Sequence, residues 1–193
     1  MIYESAKFLV KCYYKLRFKI TVIGEDRVPS SGPVMLVSNH ISDFDPPLIG
    51  LALERQLSFF AKSELFELPV IGKIFPSLNA IPVSRGKSDR AALKTSINAL
   101  KEDRCLLIFP EGSRNKEDVK KLQPLQQGAS FIASKSEAPI VPVIIKGEYN
   151  RKKGVTIVFG KPIDTKEFLE AGNTRKDLTL KLEENLNNLL FSE

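Results

Sequence analysis

Apolar and polar positions along this chain follow two different periods. Compact apolar runs recur at Val34–Val37, Leu57–Ala61, Asn79–Val83, Cys105–Phe109, Ile140–Ile145 and Val155–Phe159, and an alternating stretch covers Lys19–Gly24. Each has the length of a strand and is bounded by turn-forming or charged residues. Helical patterns lie between them. Residues 2–18 read as an amphipathic helix: Lys7, Lys11, Lys15 and Lys19 form a basic stripe, and Leu9, Tyr13, Leu16 and Ile20 an apolar face with Phe8 and Cys12 beside it. A second helix begins near Asp45, where an N-cap aspartate precedes Pro46 and Pro47. Others are expected within Ser63–Leu78 (broken at Pro69 and Pro76), over Ser88–Asp103 with Ser88 as cap, over Pro124–Ser136, and over Thr174–Phe191 with Leu178, Leu182, Leu186 and Leu189 on one face. Strands alternating with helices predict an α/β fold, with a largely parallel central sheet flanked by helices and an N-terminal amphipathic helix. No repeat, low-complexity segment or linker divides the 193 residues, so one domain is expected over 1–193, opening on helix 1–18 and ending on helix 174–191.

Composition narrows the class. A hydrophobic content of 42% with 27% charged residues fits an ordinary globular domain. Cys12 and Cys105 are far apart and imply no disulfide framework, which fits a reducing compartment. No apolar run approaches the ~18 residues a transmembrane helix needs, and Lys7 and Lys11 interrupt any signal-peptide core. The net charge of +6 suits nucleic acid, an anionic membrane or a phosphorylated substrate. With no zinc-finger spacing, no aromatic RNA-binding strand and no long basic run, nucleic acid is the weakest of the three. A solvated basic surface with no specific partner also fits.

The chemistry concentrates in Ser38-Asn39-His40-Ile41-Ser42-Asp43-Phe44-Asp45-Pro46, which holds the sole histidine of the chain. His40 falls on a turn between a strand and a helix. An imidazole with reference pKa ~6.5 is largely neutral at pH 7, and a nearby carboxylate would make His40 an oriented general base. A hydrogen-bonded loop histidine is the simpler alternative. A metal site is not expected, since no second histidine or nearby cysteine exists. There is no G-x-S-x-G for a serine nucleophile. Gly86-Lys87-Ser88 lacks the earlier glycine of a phosphate-binding P-loop, where Ile81 stands instead. Arg85-Gly86 follows a strand, and arginine there could clamp a phosphate on a turn that glycine permits, or be an exposed loop residue. Glu111, Gly112 and Arg114 leave the very apolar run Cys105–Phe109, which reads as a buried central strand whose carboxyl end is where α/β sheets place ligands. An internal Glu111–Arg114 ion pair is the alternative there. The charged stretch Asn115–Gln123 reads as a mobile loop beside the site.

Four blocks stand in order: Asn39-His40-x-Ser42-x-x-Asp45, Ile81-Pro82-Val83-Ser84-Arg85-Gly86, Phe109-Pro110-Glu111-Gly112-Ser113-Arg114, and Ala138-Pro139-Ile140-Val141-Pro142-Val143. Together they resemble the motifs of the glycerolipid acyltransferases, and within that superfamily the 1-acyl-sn-glycerol-3-phosphate (lysophosphatidate) acyltransferases. Ala61–Gly72 resembles a further block of that family, and the resemblance covers a core of 24–160. It implies transfer of a fatty acyl group from acyl-CoA or acyl carrier protein to the free hydroxyl of lysophosphatidate, giving phosphatidate, with no cofactor beyond the donor. It implies His40 as base and Asp45 as its orienting partner. Arg85-Gly86 would bind the glycerol phosphate, Glu111, Gly112 and Arg114 would contribute to acceptor binding, and Lys62 would share the phosphate. With no spanning segment, the apolar face and basic stripe of helix 2–18 would hold such an enzyme peripherally at the cytoplasmic face of an anionic membrane; the alternative is that this helix packs on the protein's own core with its lysines in water. The chain departs from the family at Ser84, where many members are acidic, and at Ser113, where many have threonine. Only one helix fits before the first motif. Acylation of another lysolipid or small acceptor, and binding of anionic lipid without turnover, are the rival readings.

Overall fold

The apolar runs assemble into one sheet. The computed structural model describes residues 2–84, 89–116 and 118–192. Its strands are β1 (Ile20–Ile23), β2 (Val34–Ser38), β3 (Leu57–Lys62), β4 (Ala80–Val83), β5 (Cys105–Ile108), β6 (Ile140–Gly147) and β7 (Val155–Phe159). They lie in the order β1-β7-β6-β2-β5-β3-β4. All neighbours run parallel except β6 and β7, which are antiparallel with Val143 opposite Phe159 and Gly147 opposite Val155. The short loop joining β6 to β7 explains the exception, because a parallel pair needs a crossover of a dozen or more residues. The largely parallel sheet expected from the sequence is therefore present.

β2 and β5 are buried along their whole length, so both faces of the sheet are covered. Successive side chains go to opposite layers. On one face Val34 and Leu36 join Leu48, Ile49, Leu107, Val143 and Phe159; on the other Met35 and Val37 join Leu106, Ile132, Ile144, Leu178, Leu182 and Leu186. The first layer is closed by α1 (Ile2–Arg17) and α2 (Asp45–Ala52), with α3 (Ile71–Ser77) against α1. The second is closed by α4 (Arg90–Lys101), α5 (Gly128–Ser136), α6 (Thr165–Glu170) and α7 (Arg175–Phe191). A capping box of Thr174 and Asp177 starts α7.

Several boundaries differ from the sequence pattern for local reasons. α4 is capped by Asp89, whose carboxylate accepts the Ala92 amide at 2.9 Å, and Ser88 lies outside the described residues. α5 begins at Gly128 rather than Pro124, because Gln123 and Gln126 are pinned by their amides to Glu111 and Pro110. α6, which was not expected, is a short helix capped by Asp164, too brief for a periodic signal. The N-cap of α2 is Phe44, not Asp45. The Asp45 carboxylate turns back to the preceding loop instead.

The N-terminal helix forms as expected, but its faces are distributed differently. Tyr14 and Phe18 are the residues buried against the core, with Val10 beside them. Phe8, Leu9, Tyr13 and Leu16 are 49–73% exposed. Lys7 leaves the basic stripe and donates to the Leu53 carbonyl at 2.5 Å, at the C-terminus of α2. Lys11, Lys15 and Lys19 remain in solvent.

Candidate active site

The sheet order brings together motifs that are far apart in sequence. β2, β5, β3 and β4 are adjacent and parallel, so their carboxyl ends share one edge. His40 follows β2, Glu111 to Arg114 follow β5, and Lys62 ends β3. Arg85 and Gly86 follow β4 and lie outside the described residues, although Ser84 and Asp89 on either side of them line the same cleft. Ligands in open parallel sheets bind outside such an edge.

Asp45 is completely buried. Its Oδ2 accepts the Ile41 amide at 2.7 Å and the Ser42 amide at 2.8 Å, and lies 2.8 Å from Nδ1 of His40. Its Oδ1 accepts the Tyr149 hydroxyl at 2.5 Å. These donors fix the side chain that fixes the histidine. The His40 ring stacks on Phe109, with centroids 4.0 Å apart and planes 18° from parallel. With Nδ1 turned to the carboxylate, Nε2 is left to take a proton from a bound hydroxyl.

The surrounding turns are held just as closely. The Asn39 side chain is buried and bonds β6 in both directions, donating to the Ile145 carbonyl at 2.9 Å and accepting its amide at 2.8 Å. Glu111 is 5% exposed; its two oxygens accept the amides of His40 at 2.9 Å and Gln123 at 3.1 Å. Burial pushes its carboxyl above the ordinary range, opposed by those same two bonds. Glu111 thus staples the histidine turn to the segment before α5, rather than pairing with Arg114. Gly112 has φ +74°, a left-handed conformation that favours glycine; a Cβ there would also meet the amide end of Gln126, which would have to move aside. The stretch expected to be a mobile loop is tethered: the Asn115 amide donates to the His40 carbonyl at 2.7 Å, and its side chain donates to the carbonyls of Asp118 and Lys121.

In front of the histidine opens a cleft of about 770 Å³. Polar residues at its wall include His40, Lys62 and Ser113; Phe60, Leu93, Ile108 and Ile132 make it apolar toward α4 and α5. Asp45 and Glu111 stand behind this wall. Arg114 follows the cleft-lining Ser113 in the chain and pairs with the exposed carboxylate of Asp43. Among the described residues no cluster of three or more His, Cys, Asp or Glu side chains is arranged to hold a metal ion. Sequence reasoning assigned no role to Tyr149, to the stacking of Phe109, or to Asp43. Phe109 stood inside a quoted motif and could have been weighed, but nothing local marks Tyr149.

An orienting carboxylate, an open imidazole nitrogen and an apolar cleft with Lys62 at its wall suit transfer of an acyl group to a hydroxyl on an anionic molecule. The comparisons agree. The chain is 30% identical over 173 residues to the 1-acyl-sn-glycerol-3-phosphate acyltransferase of Bacillus subtilis, covering 86% of this chain and 85% of that protein. It is 34% identical over 152 residues to the enzyme of the same name from Streptococcus pneumoniae, covering 74% of this chain and only 55% of the relative. In fold it resembles the 1-acyl-sn-glycerophosphate acyltransferase of Thermotoga maritima, with a TM-score of 0.80, 24% identity, and coverage of 97% of this chain and 77% of the other. The acyltransferase family profile matches residues 19–146, a stretch containing His40, Asp45, Lys62, Glu111, Gly112 and Arg114, and on these grounds the chain belongs to the acyltransferase family.

Proposed function

We propose that this chain transfers a fatty acyl group from an acyl thioester to the free hydroxyl of 1-acyl-sn-glycerol 3-phosphate, giving phosphatidate for phospholipid synthesis. The observation that carries the reading is the His40–Asp45 pair at 2.8 Å, facing an apolar cleft that also presents Lys62. The names of the bacterial relatives supply the acceptor. In this reading Nε2 of His40 takes the proton of the acceptor hydroxyl as its oxygen attacks the thioester carbonyl. Asp45 balances the imidazolium. The tetrahedral intermediate then collapses, the carbon–sulfur bond breaks, and the imidazolium returns its proton to the departing thiolate. No acyl-enzyme is formed. Lys62, Arg114 and, from the sequence motif, Arg85 hold the phosphate. Arg114 exchanges the Asp43 carboxylate for it, and a guanidinium fork suits that oxyanion geometry.

The donor is acyl-CoA or acyl carrier protein, and no cofactor is assigned. Access to a lipid acceptor falls to α1, whose outer face exposes Phe8, Leu9, Tyr13 and Leu16 beside the exposed Val70 and Ile74 near and on α3. With Lys11, Lys15 and Lys19 flanking it, this surface suits peripheral docking on an anionic leaflet at the cytoplasmic side. Among the described residues no helix is long and apolar enough to cross a membrane. The test is to offer the purified chain lysophosphatidate with acyl-CoA and, separately, with acyl carrier protein, and to follow thioester loss and phosphatidate by mass. Equimolar loss and product with at least one donor is expected. Vesicle binding with no turnover on either donor would favour the lipid-binding rival, and turnover only on other acceptors would favour the alternative enzyme.

A further inference from the structure

The loop between β6 and β7 reaches into the dyad from behind. Tyr149 lies on it, 104 residues from Asp45 and just past the stretch that matches the family profile. Its hydroxyl donates to Oδ1 of Asp45 at 2.5 Å, on the far side of the carboxylate from His40. Asp45 has no exposure to solvent, so without this phenol the buried Oδ1 would lose the donor that satisfies it. Tyr149 is not among the residues that line the cleft.

We infer that Tyr149 is a positioning residue of the dyad: its hydroxyl holds Oδ1 of Asp45 so that Oδ2 stays aimed at Nδ1 of His40, and it draws off part of the carboxylate charge that would otherwise act on the imidazole. The inference rests on the reading of His40 as the base.

Three further observations fit that role. The Tyr149 ring is fixed edge-on against Phe18 at 5.3 Å and tilted against Phe44 at 5.5 Å. The loop that carries it is tied at its ends and at its middle: Glu148 donates its amide to the Gly154 carbonyl at 2.8 Å, and Arg151 donates to the Leu16 carbonyl at 2.7 Å, near the end of α1. Burial first, and the Asp45 charge second, push the Tyr149 phenol far above its ordinary value, so it remains a donor at any pH at which the enzyme works. The ionisable groups around Asp45 are His40 on its own turn, Tyr149 from this loop, Tyr14 from α1 and Glu111 from the β5 exit. Tyr14 gives its hydroxyl to the Phe44 carbonyl and Glu111 accepts backbone amides, which leaves Tyr149 as the side-chain donor to Oδ1.

The experiment uses Tyr149→Phe, which keeps the ring and removes the oxygen. Turnover is measured across pH on the full chain, with Tyr3→Phe and His40→Ala in parallel. Tyr3→Phe removes another, half-buried phenol, which accepts the Leu57 amide at 2.9 Å and makes no hydrogen bond to Asp45 or His40. In Tyr149→Phe, kcat should fall about tenfold, the low end of what one hydrogen bond to a charged group carries. KM for lysophosphatidate should hold. With less of its charge drawn off, Asp45 favours the protonated imidazole more, so the acidic limb of the kcat/KM profile should move to higher pH by about half a unit to one unit. Tyr3→Phe should lower the melting temperature and leave the profile in place. A Tyr149→Phe profile that superimposes on the parent, while His40→Ala is inactive, would overturn the assignment of Tyr149 alone. A His40→Ala variant that still turned over would remove the base and this inference with it.

Discussion

Asp45 is fully buried and its carboxylate meets donors from His40, Ile41, Ser42 and Tyr149, whereas Arg114, at the exit of the neighbouring strand, has a side chain 28% exposed and meets the carboxylate of Asp43, itself 78% exposed. Both groups stand at the same edge of the sheet. The difference fits the roles proposed for them. A base and its partner act only if their geometry is already set when substrate arrives, and here two backbone amides and a phenol hold the carboxylate. A cation proposed to bind and release an anion must remain accessible and exchange partners, which suits an exposed ion pair worth at most ~1 kcal/mol.

The largest effects should come from the locked side. His40→Ala should cost about 100- to 10,000-fold in turnover with the fold intact, the range for losing a general base. Asp45→Asn should be comparably severe, because the amide imposes the wrong tautomer on His40 and removes the balancing charge. Steady-state rates beside circular dichroism check both, and near-normal turnover in either would break the comparison. On the open side, Arg114→Ala should lower kcat/KM for lysophosphatidate about 10- to 100-fold, the worth of one charge-assisted contact, and leave the donor's KM in place. Its melting temperature should barely move. Equal loss for both substrates would remove Arg114 from the acceptor site.

Much of this was legible along the chain, and the legible part is local. His40 and Asp45 lie five positions apart on one turn, and Pro46-Pro47 announced the helix behind them. The strands showed themselves because a sheet covered on both faces needs uninterrupted apolar runs. What stayed hidden depends on strand order and long-range contact. Tyr149 meets Asp45 across 104 positions and Asn39 meets Ile145 across 106, and neither pairing leaves a periodic trace. The N-terminal helix shows a second limit. Tyr14 and Phe18 face the core while Leu9, Tyr13 and Leu16 face out, so the helix is apolar on two sides and periodicity alone did not say which one packs. Glu111 was expected to contribute to the acceptor site; its oxygens instead take two backbone amides that only the fold brings to it.

Glu111 sharpens the comparison, being a charge on the locked side with no part in proton transfer. In Glu111→Gln, one of the amides of His40 and Gln123 would face an NH₂ group instead of an oxygen, a loss of about 1–3 kcal/mol. The deficit should depend on pH. Burial raises the Glu111 carboxyl, so folding favours its neutral form. That contribution is full below the ordinary value of about 4.3 and is lost as pH rises through the raised one. The glutamine variant cannot ionise, so it should fall further below the parent at pH 4 than at pH 7 in thermal unfolding. A constant gap would mean that the carboxyl is not raised in solution.

The smallest effect on the chemistry should come from the surface farthest in character from Asp45, the outer face of α1. Leu9, at 68% exposure, and Leu16, at 73%, touch nothing that holds the dyad through their side chains, while Tyr14 and Phe18 on the opposite face keep the helix on the core. Leu9→Glu with Leu16→Glu should therefore leave turnover of a short-chain lysophosphatidate dispersed in solution within about twofold, since exposed substitutions rarely shift stability by more than ~0.5 kcal/mol. On anionic vesicles the same pair should behave differently. Each leucine that enters the interface contributes roughly 1.5–3 kcal/mol of transfer free energy, and the new carboxylates add repulsion, so co-sedimentation should fall at least tenfold and turnover of vesicle-borne acceptor should fall with it. A doubly substituted enzyme that still bound vesicles and acylated their lysophosphatidate at the parental rate would mean that α1 is merely a solvent-facing cover, and that the lipid reaches the cleft by another surface.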